Sequence, residues 1–175
     1  MNELLESNFP VAKDWCYTGV GVMPNDVTMR DYLAKNDWSF PILARAGAEV
    51  NSLTCEVEDV LAMRDMLLAF EDSVACVEAM ADPRVKIVSL TITEFGYRVP
   101  INEGDRALVR AALEGATDAE GPEGDARVAE AAAETRGATV FGIVLAALAS
   151  RRRRGLRPFT IMSCDNLPHN GEVAK

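Results

Sequence analysis

The sequence predicts an α/β protein in which a parallel sheet carries helices on its faces. Three observations lead there. The segment VKIVSLTI (85–92) is β-branched and almost continuously apolar, as expected of a central parallel strand covered on both faces. The stretch ATVFGIVLAALAS (138–150) places Phe141, Val144, Leu145 and Leu148 at i, i+3, i+4 and i+7 with mostly apolar residues between them, the pattern of a helix buried on most sides. Strand-like and helix-like segments alternate along the chain, which is the order that builds parallel sheets.

In chain order, DWCYTGVGVMP (14–24) reads as a short strand running into a glycine turn, and residues 27–35 as the helix after it. Residues 37–44 and 50–53 read as short strands. Over residues 57–70 the apolar positions Val57, Val60, Leu61, Leu67 and Leu68 favour a helix. EDSVACVEAMADP (71–83) is a second helix, capped by Asp72 or Ser73 and stopped before Pro83. The strand at 85–92 runs into Thr91-Ile92-Thr93-Glu94-Phe95-Gly96-Tyr97, a polar cluster at its carboxyl end. Residues 114–137 are rich in Ala, Glu and Gly and are expected to form a mobile surface insertion with some helix in it. Thr160, Ile161 and Met162 end a last strand, which delivers Ser163-Cys164-Asp165-Asn166. Leu167-Pro168 then turns the chain, and Asn170-Gly171 looks like a helix start left unused.

At 175 residues the chain suits one domain with a real core. The net charge of -9 argues against a nucleic-acid partner, because phosphate binding needs a cationic face. The run at 138–150 is well short of the roughly 20 residues of a membrane span. The amino terminus shows no secretory pattern, so neither a membrane nor a secretory destination is expected. The four cysteines, Cys16, Cys55, Cys76 and Cys164, include no CxxC pair, which points to reduced thiols in a cytoplasmic setting.

Each candidate site residue has a plainer alternative. Gly19-Val20-Gly21 begins like a dinucleotide fingerprint, but Pro24 stands where the next glycine belongs and removes an N–H from the loop. Asp26, just after a strand, is placed to take adenosine ribose hydroxyls or simply to cap the following helix, and capping is favoured. Glu94 is either a site carboxylate or a solvated turn residue. Asn166 can donate to a developing alkoxide without ionising, or be a buried amide satisfied by backbone. His169 is the only histidine, so metal sites built on histidine pairs are excluded and no metal is expected. Cys164 has no cationic neighbour in sequence and reads as a buried, inert thiol. Arg151–Arg154 complete a helix C-terminus and cover apolar surface with their stems.

Three strings, DWCYTGVGVMPND (14–26), IVSLTITEFGY (87–97) and RRRGLRPFTIMSCDNLPHNG (152–171), resemble the mannitol dehydrogenase family of long-chain polyol dehydrogenases, which includes fructuronate and tagaturonate reductases. SCDNLPHNG is the most specific of these phrases, and the resemblance covers most of the chain outside 98–136. It implies a Rossmann-like sheet with flanking helices that lacks the first βα unit and its glycine loop. The chain would then be a partial N-terminal dinucleotide-binding domain, with the helical catalytic domain and its lysine base (K-x4-N-x2-H) absent.

The implied activity is zinc-independent and uses NAD in preference to NADP. Hydride transfer would interconvert a polyol such as mannitol and a ketose such as fructose. The resemblance gives Asp26 to the adenosine ribose, with Asn25 and Thr93 as further cofactor contacts, and Asn166 and Glu94 to the catalytic pocket. Family members often carry a second acid where Asn25 stands. The alternatives are a hexuronate reductase and a non-enzymatic interaction protein pairing through an exposed sheet edge.

Overall fold

The computed structural model describes residues 15–46, 54–166 and 168–173. The strand expected at 50–53, the chain's first residues and Leu167 lie outside them. The chain divides into two compact units, Met1–Leu67 and Leu68–Lys175.

In the first unit, strand β1 (Tyr17–Gly21) leads to helix α1 (Asp26–Lys35). β1 pairs with β4 (Met63–Leu68), and the Tyr17 N–H donates to the Ala62 carbonyl at 3.0 Å. Gly19 belongs to the strand and not to a turn. A side chain there would meet the Met63 methyl at 2.8 Å, so close packing accounts for the glycine. Strands β2 (Phe40–Ala46) and β3 (Thr54–Val60) pair antiparallel, from Phe40 opposite Val60 to Ala46 opposite Thr54.

β3 and β4 replace the helix expected over 57–70. Val57 and Val60 satisfy helical spacing, yet Val57 is exposed and Val60 is buried, so they do not share a helical face. TCEVEDV interleaves acids with β-branched residues, and seven-residue pairing with β2 decides the outcome. Cross-strand contacts override so weak a local signal.

The second unit holds most of the buried apolar residues described. Helix α2 (Ser73–Ala81) begins at Asp72, whose carboxylate accepts the Ala75 N–H at 2.8 Å, as expected of an N-cap. Strand β5 (Ile87–Leu90) buries Val88 and Leu90 and exposes Ile87 and Ser89. The apolar run therefore marks a strand covered on one face rather than two. A single turn, α3 (Thr93–Gly96), follows it, and then helix α4 (Glu103–Glu114). Asn102 and Asp105 form a reciprocal capping box at the start of α4. Gly115 closes the helix in the left-handed conformation (φ 74°).

The Ala/Glu/Gly-rich stretch expected as an insertion contains helix α5 (Gly121–Glu134). Ala131 and Thr135 are buried, and the Thr135 and Ser73 hydroxyls share a hydrogen bond of 2.8 Å that ties α5 to α2. Helix α6 (Val140–Arg153) packs on both α2 and α4. Its Ile143, Val144, Ala146 and Ala147 are buried with Leu108, Ala112, Val74 and Val77. Burying a side chain such as Leu108 is worth about 2 kcal/mol.

Three of the four consecutive arginines close the end of α6. Arg151 is 3% exposed, donates to the carbonyls of Arg157, Met80, Asp82 and Val85, and lies over the Phe159 ring. Arg153 pairs with Asp118, and Arg154 bridges Glu78 and Asp118. Strand β6 (Thr160–Ser163) then pairs parallel with β5, from Ile87 opposite Thr160 to Leu90 opposite Ser163. One helical turn, α7 (Asn170–Val173), ends the described chain, so the helix start at Asn170 is used.

Candidate functional site

The site is assembled where β5 and β6 end together. Past the last paired residues, Leu90 and Ser163, the Cys164 N–H still donates to the Leu90 carbonyl at 2.9 Å. The two chains then turn apart and leave their polar clusters side by side. Thr93, Glu94, Asp165 and Asn166 line a cavity of about 260 Å³ there. Carboxyl ends of parallel strands are where α/β folds bind ligands.

Asp165 is the hub. Its Oδ1 accepts the Thr93 N–H at 2.8 Å, and its Oδ2 accepts the Ile92 N–H at 3.1 Å and the Tyr97 hydroxyl at 2.7 Å. The Tyr97 oxygen also lies 2.6 Å from the Ser163 hydroxyl. Tyr97 has one proton and gives it to the carboxylate, so Ser163 is the donor in that contact. Tyr97 packs its ring against Phe141, with centroids 5.7 Å apart. Asn170 holds the turn from the other side, donating to the carbonyls of Ser163 and Asp165.

Partial burial pushes the Asp165 carboxyl up. The hydrogen bonds from Tyr97, Thr93 and Ile92 outweigh that and hold it below the ordinary carboxylate value. Burial also pushes the Tyr97 phenol up, opposed by Ser163 and reinforced by Asp165, so it stays a donor at neutral pH.

Thr93 is backbone-strained. Its φ is 60°, a left-handed value that is unfavourable for a β-branched residue. Glu94 and Asn166 are both exposed in the cavity, and neither side chain is hydrogen-bonded to a described residue. Asn166 is therefore not the buried, backbone-satisfied amide of the plainer reading. Its NH₂ is available to a ligand oxygen.

The cofactor candidates Asp26 and Asn25 belong to the first unit. Asn25 occupies the N-cap position of α1 but makes no side-chain cap bond, and Asp26 is the first helical residue. Asp26 Oδ2 accepts the Met23 N–H at 2.9 Å, so it does serve the helix start. Its other oxygen has no partner among the described residues and can still accept a hydroxyl.

One expectation changes. Cys164 is exposed, because it lies one residue past the strand end. Among the described cysteines the buried thiol is Cys76, pushed up to about 12 by burial and by nearby Asp72. No group of three or more metal-ligating side chains occurs among the described residues. No helix among them is long and apolar enough to cross a membrane.

Tyr97, Ser163 and Asp165 were not singled out by sequence reasoning. Asp165 stands beside Asn166 in the same polar cluster, but its partners are 68 to 73 residues away in the chain. Only the parallel pairing of β5 with β6 brings them together.

A family model described as the mannitol dehydrogenase Rossmann domain matches residues 4–175, including 98–136, where the resemblance had been weakest. The mannitol 2-dehydrogenase of Cereibacter sphaeroides is 42% identical over 162 residues, which are 93% of this chain and 30% of that protein. The chain thus spans under a third of the length of that curated relative. Among solved structures, the Pseudomonas fluorescens mannitol 2-dehydrogenase ternary complex with NAD and D-mannitol superposes with a TM-score of 0.65 at 34% identity. That match covers 93% of this chain and 29% of the other. A substrate-free D-sorbitol dehydrogenase superposes with a TM-score of 0.68 at 32% identity, covering 98% of this chain and 31% of the other.

Proposed function

The chain belongs to the mannitol dehydrogenase family, and on that premise we propose that it forms the dinucleotide-binding part of an NAD-dependent polyol dehydrogenase. The reaction would interconvert a polyol such as mannitol and a ketose such as fructose. The observation that carries the proposal is the cavity at the ends of β5 and β6, where a free amide and a free carboxylate stand beside a strained Thr93.

The residues present suit a nicotinamide dinucleotide. Asp26 keeps one oxygen for a ribose hydroxyl, and Thr93 offers a hydroxyl at a strand end, with Asn25 a further exposed contact. When bound, the cofactor supplies hydride chemistry. The chain's own residues do the rest. Asn166 directs an uncharged donor at the substrate oxygen, whose negative charge grows as a ketose is reduced, so the bond strengthens toward the transition state. A second anion there would repel that oxygen, so an amide suits the position better than an acid. Glu94 is exposed at the same cavity and can accept from a substrate hydroxyl or pass a proton to solvent. The same reading places the protein in the cytoplasm. Cys16, Cys76 and Cys164 as free thiols support that setting.

Nucleotide titration followed by NMR tests the reading. Millimolar NADH added to the ¹⁵N-labelled chain is expected to shift the resonances of Thr93, Glu94 and Asn166, and NADPH to do so less. Shifts elsewhere with none at these residues would move the site.

A further inference from the structure

We propose that Asp165 is a positioning residue: by accepting the N–H groups of Ile92 and Thr93 together with the Tyr97 hydroxyl, it holds Thr93 in its left-handed conformation and sets where Thr93 and Glu94 stand relative to Asn166. The inference rests on the reading above for its claim that this cavity is where cofactor and substrate meet. Its structural part stands on geometry alone.

A β-branched side chain at positive φ crowds its own backbone, so Thr93 persists there only if its surroundings over-determine it. Asp165 supplies that constraint. Its two oxygens meet two consecutive N–H groups, at 3.1 and 2.8 Å, which bends the chain at Ile92 (φ −106°, ψ 7°) and fixes the peptide plane from which the chain enters Thr93.

The grip lies beyond the last backbone pair of β5 and β6, where the sheet no longer holds the strands in register. The acid is itself anchored. The Asn170 side chain donates to the Asp165 carbonyl at 3.0 Å, and Tyr97 is fixed by Ser163 and Phe141. Asp165 and Asn166 are neighbours, so one rigid turn fixes the amide that faces the ligand and, through the carboxylate, the loop opposite. The residue type matters. A carboxylate offers two acceptor oxygens, whereas an amide offers one and places an NH₂ against an N–H.

The test follows backbone resonances of the 175-residue chain. In the unmodified protein the Thr93 amide is expected to exchange slowly with solvent although Thr93 is exposed, and its carbon shifts to report a left-handed backbone. Free exchange at Thr93 would overturn the proposal whatever the variants do. In Asp165→Asn, Thr93 is expected to leave the left-handed region, and the shifts induced by millimolar NADH at Thr93, Glu94 and Asn166 to fall severalfold. Resonances of Leu108 and Ala146 in the helical core should hold their positions.

Thr93 remaining left-handed in Asp165→Asn would sink the idea, since a merely structural acid lowers the melting temperature without moving that signal. Tyr97→Phe leaves both backbone contacts and should keep Thr93 in place. Loss of the left-handed signal there would shift the role from the carboxylate to the tyrosine and overturn the assignment. Absence of NADH shifts in the unmodified chain would count against the functional reading of the cavity, while the exchange and conformation of Thr93 still decide the role of Asp165.

Discussion

The carboxylate of Asp105 occupies the space that any side chain on Gly142 would need. Asp105 is buried, caps α4, and accepts both the N–H and the hydroxyl of Thr139, which is itself the N-cap of α6. A Cβ on Gly142 would overlap that carboxylate. One acid thereby ties together the starts of the two most closely packed helices, and the glycine permits it.

Gly142→Ala should accordingly destabilise the second unit, by about 1–3 kcal/mol or more, as overpacking does in cores. Urea denaturation of the variant checks this. Asp105→Ala alone should also destabilise, by removing the acceptor of the Asn102 N–H and both contacts to Thr139. The double variant should lose less than the two single losses combined, because removing the carboxylate clears the space the new methyl needs.

Arg151→Met keeps much of the apolar stem and removes the guanidinium. Four backbone carbonyls then lose this donor in a site where the arginine is nearly buried. The Asp82 carbonyl keeps the Val85 N–H as a donor, which leaves three acceptors, and each one unpaired costs about 1–3 kcal/mol, so a loss of about 3 kcal/mol is expected after partial repair by water. Arg151→Lys should recover little, because an ammonium cannot span the same four oxygens. Thermal melts of both variants give the comparison.

Asp165 makes the stability of the fold depend on acid. Its carboxyl is held below its ordinary value in the folded protein, so it binds its proton less readily there than in the unfolded chain. Its contribution is present above the unfolded value, about 3.9, and is lost as the pH falls through the folded one. The melting temperature of the unmodified chain should therefore converge on that of Asp165→Asn as the pH drops below about 4. Asp82, held near 2 by its hydrogen bonds to Arg84, and Asp118 act equally in both proteins and cancel. A constant gap down to the lowest pH would mean that the carboxylate is not linked to folding.

In a full-length polyol dehydrogenase of the proposed kind, built with this chain as its dinucleotide-binding part, Asn166→Ala should lower kcat by about 10² to 10³, the usual cost of removing one donor to a developing oxyanion. NADH affinity should be nearly unchanged. Asn166→Asp should be at least as damaging through charge repulsion. Single-turnover hydride transfer and a melting curve on the same sample separate this from a stability effect. A normal rate in a less stable protein would leave the amide with a packing role only.

Asp26→Ala should weaken NADH more than NADPH, since the carboxylate that accepts ribose hydroxyls also repels a 2′-phosphate. The paired affinities, measured by calorimetry, give the ratio. An unchanged ratio would leave Asp26 with its helix-start contact to Met23 alone.

The elements with strong internal patterns were legible in the chain. VKIVSLTI announces β5 by its β-branched run, although only Val88 and Leu90 of the strand are buried, and the run containing Ile143 and Val144 announces α6 because burial imposes a nearly continuous apolar signal on it. Thr93, Glu94 and Asn166 could be placed at strand ends for the same reason. β3 was not legible, since its pairing with β2 is a tertiary fact that Val57 and Val60 do not encode locally. Nor was Asp165, which in sequence is one polar residue among four. What sets it apart is contact with Ile92, Thr93 and Tyr97 across most of the second unit's length. The exposure of Cys164 was missed because free cysteines are among the most often buried residues, whereas this one stands past Ser163, the strand's last residue.

The pairing of β5 with β6 also fixes when the cavity can exist during folding. Thr93 and Asp165 are 72 positions apart, and closing a loop of that size costs about 4 kcal/mol of chain entropy before any contact offsets it. Between them lie α4, α5 and α6, whose contacts are more local and which shorten the effective distance as they dock. A nascent chain can thus bury Leu108 against Ile143 while the strand ends are still apart. Packing of α4 on α6 is therefore expected to precede completion of the pocket.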